Sequence, residues 1–169
     1  ASFAGPMKIY AGGYEDVGDA AIIVITAGAN QRPNETRLDL VQKNAKIMTD
    51  VVTQIKEQEY KGILLIVSNP VDIMTQVAME VGGFPEHRVF GSGTVLDSAR
   101  LRYHLGQHLG VDSRSVHAFV IGEHGDSEIA AWSSANVSGV PLNSFCEMRG
   151  HFNHEGNTES IEEQVKNSA

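Results

Sequence analysis

Cysteine is almost absent from this chain: Cys146 is the single example in 169 residues. No intrachain disulfide can form, which fits a reducing compartment. Positive charge is scarce as well. Thirteen lysines and arginines stand against 21 acids, for a net charge of −8, so no basic stripe is available to neutralise nucleic-acid phosphates. No apolar run approaches the roughly 20 residues that span a bilayer. The opening ASFAGPMKIYAGG lacks the basic-then-apolar order of a secretion signal. Internal repeats and low-complexity segments are missing. The expectation is a soluble, cytoplasmic protein that binds neither nucleic acid nor membrane. Its length allows one ordinary domain or parts of two. A last absence concerns phosphate. The glycine clusters AGGYEDVG and GSGTVL fit neither the spacing nor the context of G-x-G-x-x-G.

What is present alternates. AAIIVITAG (20–28) is a β-branched run closed by glycine, as expected of a strand buried on both faces. Val41, Ala45, Met48, Val52 and Ile55 follow at spacings that describe one stripe of an amphipathic helix. GILLIVSNP (62–70) reads as a second buried strand, and VDIMTQVAMEVGG (71–83) as a helix ending on glycines. HRVFGSG (87–93) reads as a short strand and turn. A further helix runs from Thr94 to about Leu109, and VHAFVIG (116–122) reads as one apolar strand. SIEE (160–163) has the form of a capping box that opens a helix carrying Ile161 and Val165. Strands separated by helices imply βαβ crossovers and a mainly parallel sheet covered on both faces. Ligands of such sheets sit beyond the carboxyl ends of the strands.

The chemically suggestive residues cluster at such ends. Arg37 closes the loop GANQRPNETR, which could fold over a ligand and carry a cation with it; a solvated arginine in a first helical turn is the bland alternative. Asp97 and Arg100 are three apart on one helix face. An arginine fork suits a planar carboxylate, and a local ion pair is the bland alternative. Arg102 lies about 200° around from Arg100 and points elsewhere. His124 stands in VIGEHGDSE at the end of an apolar run, between glycines. A carboxylate beside it would fix its tautomer and stabilise the imidazolium, and Asp97 could be that carboxylate. His151 and His154 in HFNH sit at i, i+3, but local sequence offers no third metal ligand, so a surface loop is expected there.

ITAGANQRPNETRLDLVQKN, SNPVDI, GSGTVLDSARLR and IGEHGDSE together resemble the bacterial L-lactate dehydrogenases of the lactate/malate dehydrogenase family. The resemblance runs through essentially the whole chain, in order. It implies an α/β fold: part of a Rossmann-type NAD-binding parallel sheet over residues 1–91, then the start of an α+β substrate domain over 92–169. It implies NADH-dependent reduction of pyruvate to L-lactate in fermentative glycolysis. His124 would be the acid/base, Asp97 would hold it, Arg100 would bind the substrate carboxylate, and Arg37 would polarise the carbonyl. Asn69 would contact both substrate and cofactor. Gly28, Ala29, Val67, Ser68 and Ser92 would line the NAD cleft. Arg102 and His117 would bind fructose 1,6-bisphosphate as activator where subunits of a homotetramer meet. No metal is implied.

Gln31 bears on the substrate. Malate dehydrogenases commonly place arginine there to pair with a second carboxylate; a neutral glutamine leaves that charge unpaired, which is costly to bury. The family's first strand, glycine fingerprint and ribose-binding acid would precede Ala1. A pocket threonine and the last helix would follow Ala169, and Asn34 stands where many relatives have glycine. Isolated, the chain is therefore expected to be inactive. Three other readings are a malate or other 2-hydroxy acid dehydrogenase, an inactive fragment or interaction protein, and a metal-dependent hydrolase using His124, His151 and His154.

Overall fold

The computed structural model describes residues 7–30, 36–125 and 127–167, with the side chain of Arg37 excepted. Two compact units divide the chain, Ala1–Gly91 and Ser92–Ala169.

The first unit alternates strand and helix: β1 (Ile22–Ile25), α1 (Arg37–Glu57), β2 (Ile63–Ile66), α2 (Val71–Gly82) and β3 (Val89–Gly91). The three strands are parallel in the order β1-β2-β3, with Ile25 opposite Ile66 and Leu64 opposite Val89. Helix α1 starts where Thr36 and Asp39 cap each other reciprocally, satisfying two of the donors that a helix start leaves open. Its stripe buries Met48, Val52 and Ile55 against Ile25, Leu64, Ile66, Val89 and, from α2, Met74 and Ala78. Burying side chains of this size contributes about 1.5–3 kcal/mol each. Helix α2 ends at Gly83, which takes the left-handed conformation (φ +63) that favours glycine.

One expectation fails here. Among the described residues the sheet is covered on one face only: Ile22 (56 %), Val24 (52 %) and Phe90 (47 %) stay exposed on the other. The apolar runs of β1 and β2 suit burial on both sides, yet α1 and α2 pack together and both contribute to the one core.

The second unit is mixed. Helix α3 (Val95–Leu109) leads into β4 (Val116–His117), β5 (Val120–Ile121), β6 (Ile129–Ala130), β7 (Asn136–Val137) and β8 (Val140–Pro141), then α4 (Leu142–Met148) and α5 (His154–Lys166). The pairings β4-β7-β8 and β5-β6 are antiparallel. The core gathers Leu101, Leu105 and Leu109 from α3, Val116, Val120 and Val137 from the strands, and Ile161 and Val165 from α5.

Two further expectations are corrected. The run 116–122 is not one strand but two short ones in different sheets. At β5 itself the backbone also bonds to side chains: Ser98 Oγ accepts from Val120 N (2.9 Å), and Thr94 Oγ1 donates to Val120 O (2.6 Å). Helix α5 opens not at Ser160 but at His154, where the Asn153 side chain accepts from Gly156 N (3.3 Å). An effective cap and the buried anchors Ile161 and Val165 outweigh the poor helix propensity of Gly156 and Asn157.

Candidate active site

In the first unit the residues expected at the cofactor cleft lie just past the ends of two adjacent parallel strands. Gly28 and Ala29 follow β1, and Val67, Ser68 and Asn69 follow β2. Gly28, Val67 and Asn69 are exposed, whereas Ser68 is buried. Its hydroxyl donates to Ala27 O (2.6 Å), so Ser68 ties the two strand ends together and any ligand contact it makes passes through its backbone. Asn44 holds the same junction and was not foreseen. It is buried on α1, accepts from Ala29 N (2.8 Å) and donates to Asn69 O (2.9 Å). In the sequence it reads as a polar residue beside an apolar stripe, which was its only signal. Gln31 lies outside the described residues, as does the side chain of Arg37, whose backbone opens α1.

In the second unit the geometry is tight. Asp97, in the first turn of α3, is fully buried. Its Oδ2 lies 2.6 Å from His124 Nδ1, and its Oδ1 accepts from Arg100 Nη1 at 3.1 Å. A carboxylate only accepts, so the short contact puts a proton on Nδ1. Both partners keep a route to solvent, the His124 side chain at 20 % and the Arg100 side chain at 24 % exposure. One buried anion thus holds both an imidazole and a guanidinium, each partly accessible.

His124 gets there through the loop after β5. Gly122 has φ +94 and Gly125 φ +148, backbone that side-chain-bearing residues rarely adopt. A Cβ on Gly125 would meet nothing within 4 Å, and one on Gly122 only ordinary contacts; the glycines answer a conformational need. Ser127 Oγ donates to Glu123 Oε2 (3.0 Å) across the loop, and Asp126 lies outside the described residues. Ser92, at the start of the unit, is half-buried.

The other histidines go elsewhere. His151 stacks on His108 with ring centroids 4.4 Å apart, and His154 Nε2 is 3.3 Å from Glu147 Oε1. Neither joins His124. The group that could hold a metal among the described residues is Asp97, His124 and Glu128, with one ligand atom from each within 4.8 Å of the others, and both Asp97 oxygens already have partners. Glu128 is the second buried residue not foreseen. Arg102 donates from Nε to Ser98 O (3.1 Å) and lies with its guanidinium carbon 6.0 Å from the centre of the Phe119 ring. His117, two residues before Phe119, is exposed like it.

A parallel nucleotide-type half-sheet followed by an Asp–His–Arg cluster on an α/β unit defines a class. The chain belongs to the lactate/malate dehydrogenase family: residues 2–91 match the family's NAD binding domain and residues 94–169 its alpha/beta C-terminal domain. Among its relatives, the L-lactate dehydrogenase of Acetivibrio thermocellus is 47 % identical over 99 % of the chain and 53 % of that protein. The L-lactate dehydrogenase of Streptococcus pyogenes is 53 % identical over 92 % of the chain and 47 % of that protein. The crystal structure of a lactate dehydrogenase from a Medee basin deep-sea metagenome library superposes with a TM-score of 0.91 at 46 % identity, over 98 % of this chain and 53 % of that one. The minor L-lactate dehydrogenase of Enterococcus mundtii in its ligand-bound form gives 0.88 at 44 % identity, over 94 % and 50 %. The chain spans about half the length of the curated relatives it matches. No helix among the described residues is long and apolar enough to cross a membrane.

Proposed function

We propose that the whole protein is an NAD-dependent L-lactate dehydrogenase that interconverts pyruvate and L-lactate in the cytoplasm, as part of fermentative glycolysis. The observation that carries this reading is the pair of contacts on Asp97, 2.6 Å to His124 and 3.1 Å to Arg100. Reduction of a 2-oxo acid needs an anion anchor and a proton donor held in fixed relation, and one carboxylate fixes both.

The exposed strand ends at Gly28, Val67 and Asn69 suit a dinucleotide. NADH, when bound, supplies the hydride; the rest is work for side chains. The Arg100 fork takes the substrate carboxylate through parallel hydrogen bonds. Arg37 polarises the carbonyl, a role that stabilises the negative charge developing on its oxygen. His124, with Nδ1 engaged by Asp97, gives the Nε2 proton to that oxygen, and Asp97 offsets the imidazolium charge. Asn69 orients the substrate, and Gln31 contributes specificity by offering no cation to a second carboxylate. Gly28, Ala29, Val67, Ser68 and Ser92 form the cofactor cleft. Residues 1–91 belong to the dinucleotide-binding domain and 92–169 to the substrate domain. Arg102 and His117 bind fructose 1,6-bisphosphate at a subunit contact of a homotetramer; Arg102 lying against the exposed Phe119, two residues from the exposed His117, supports this.

The test is NADH oxidation by the full-length enzyme with pyruvate and with oxaloacetate. A higher kcat/KM for pyruvate is expected; preference for oxaloacetate, or turnover of neither, overturns the reading.

A further inference from the structure

Glu128 is the buried carboxyl that this chemistry leaves unused. It is 6 % exposed, at the far end of the loop that carries His124. A carboxyl oxygen lies within 4.8 Å of ligand atoms on both Asp97 and His124. Leu101, Val120, Ala130 and Val165 line the same small cavity as Glu128, together with Glu162. Among the described residues the charged and titratable groups around it are few. Asp97 comes from α3 and His124 from its own loop, while α5 supplies Glu162 and Lys166. Glu162 accepts from Lys166 Nζ and from Trp132 Nε1, each at 3.2 Å.

Two carboxyl groups this close in a poorly hydrated place cannot both ionise cheaply. Asp97 has a guanidinium and an imidazole to hold its charge; Glu128 has apolar walls. Burial first, and then the negative charge of Asp97, push the Glu128 carboxyl above its ordinary value of 4.5, with His124, the Gly125 N–H and Lys166 working the other way. Glu128 therefore gives up its proton less readily than an ordinary glutamate.

We propose that Glu128 is a positioning residue acting through the Asp97–His124 pair: as a neutral acid it leaves Asp97 the one negative charge against the imidazole, and on ionising it adds a second that makes His124 hold its proton more tightly. This rests on the reading of His124 as proton donor. Because the coupling is reciprocal, the two groups titrate as a unit, in steps that belong to the pair.

The experiment follows the His124 ring by NMR in the full-length protein without cofactor or substrate, over a pH range covering both groups, beside the pH profile of kcat/KM for pyruvate. The His124 signal is assigned by its loss in His124→Gln. In the parent protein the His124 curve is expected to show two steps. Glu128→Gln, a permanently neutral stand-in, should leave one step and lower its midpoint by about one pH unit, the scale for a charge at this distance. The kcat/KM profile should move the same way, with peak activity kept within about threefold. Glu128→Asp should restore the two-step curve. A single step in the parent, or superimposed curves for parent and Glu128→Gln, overturns the proposal, and the parent titration decides even if the variant does not fold. A coupled titration in a protein that does not reduce pyruvate would instead sink the dehydrogenase reading while the coupling stands.

Discussion

Asp97→Asn in the full-length enzyme removes one charge and almost no volume. In the parent, Oδ2 accepts from His124 Nδ1 at 2.6 Å and Oδ1 from Arg100 Nη1 at 3.1 Å, and no solvent reaches the carboxylate. An asparagine can keep one oxygen. If that oxygen stays on Arg100, its NH2 faces Nδ1, and two donors meet unless the imidazole moves its proton to Nε2. The variant then loses a charge-assisted hydrogen bond, worth about 1.5–3 kcal/mol, or about 10- to 150-fold at 1.4 kcal/mol per decade. It also holds the wrong tautomer for lactate oxidation. Together these place the loss in kcat/KM at about 10²- to 10⁴-fold, the range of positioned acid–base catalysis. If the oxygen rotates to His124 instead, Arg100 faces the NH2 and the loss moves to KM for pyruvate. NADH affinity, followed by fluorescence titration, should change little, because Asp97 belongs to the substrate side. The partners' 20 % and 24 % exposure keeps the stability cost below the 3–5 kcal/mol of a fully buried broken pair, so the variant should still melt cooperatively. A folded Asp97→Asn enzyme within about threefold of parental kcat/KM would refute the assignment of His124 and Arg100 together.

Gln31→Arg should turn the ratio of kcat/KM from pyruvate toward oxaloacetate, since a cation enclosed with pyruvate is left unpaired at a cost of up to about 3–5 kcal/mol; an unchanged ratio removes Gln31 as specificity residue. Arg102→Gln should abolish activation by fructose 1,6-bisphosphate, read from pyruvate saturation curves with and without the sugar, and activation that survives would refute the site. His108 should make the protein acid-sensitive. Burial, then His151, hold its ring below the ordinary 6.5, so between the folded and unfolded values the unfolded chain binds a proton that the fold refuses. Stability then falls as pH drops through about 6.5, and His108→Gln should flatten that part of the melting-temperature profile; an identical profile would refute the coupling.

Legibility followed the kind of partner each segment finds. Residues 22–25 and 63–66 pair with each other, and 41–55 packs apolar side chains against them, so periodicity alone located these elements. The run 116–122 was misread because it pairs first with β7 and then with β6, while Val120 also bonds to the Ser98 and Thr94 hydroxyls, and hydrophobicity reveals neither. The start of α5 was missed because Gly156 and Asn157 argue against helix until the Asn153 cap is seen. Asp97 and Arg100 share a helix face by spacing, but the 2.6 Å contact across 27 residues to His124 is set by the packing of α3 against β5. Asn44 and Glu128 escaped for a common reason: each is a polar residue buried by tertiary packing, with little local sign of it.

Those two hydroxyls also bear on how a mutation survey of this protein would look. Val120 lies four residues before His124, and its backbone hangs on Ser98 and Thr94, while Asp97 sits between them on the same helix. The imidazole and its anion are therefore gauged from one stretch of α3 by side chains only one carbon long, with no slack to absorb a substitution. Variants at 94 and 98 would sort by phenotype with those at 97 and 124, although neither hydroxyl touches anything that reacts, and a map of intolerant positions would draw the active site larger than its chemistry.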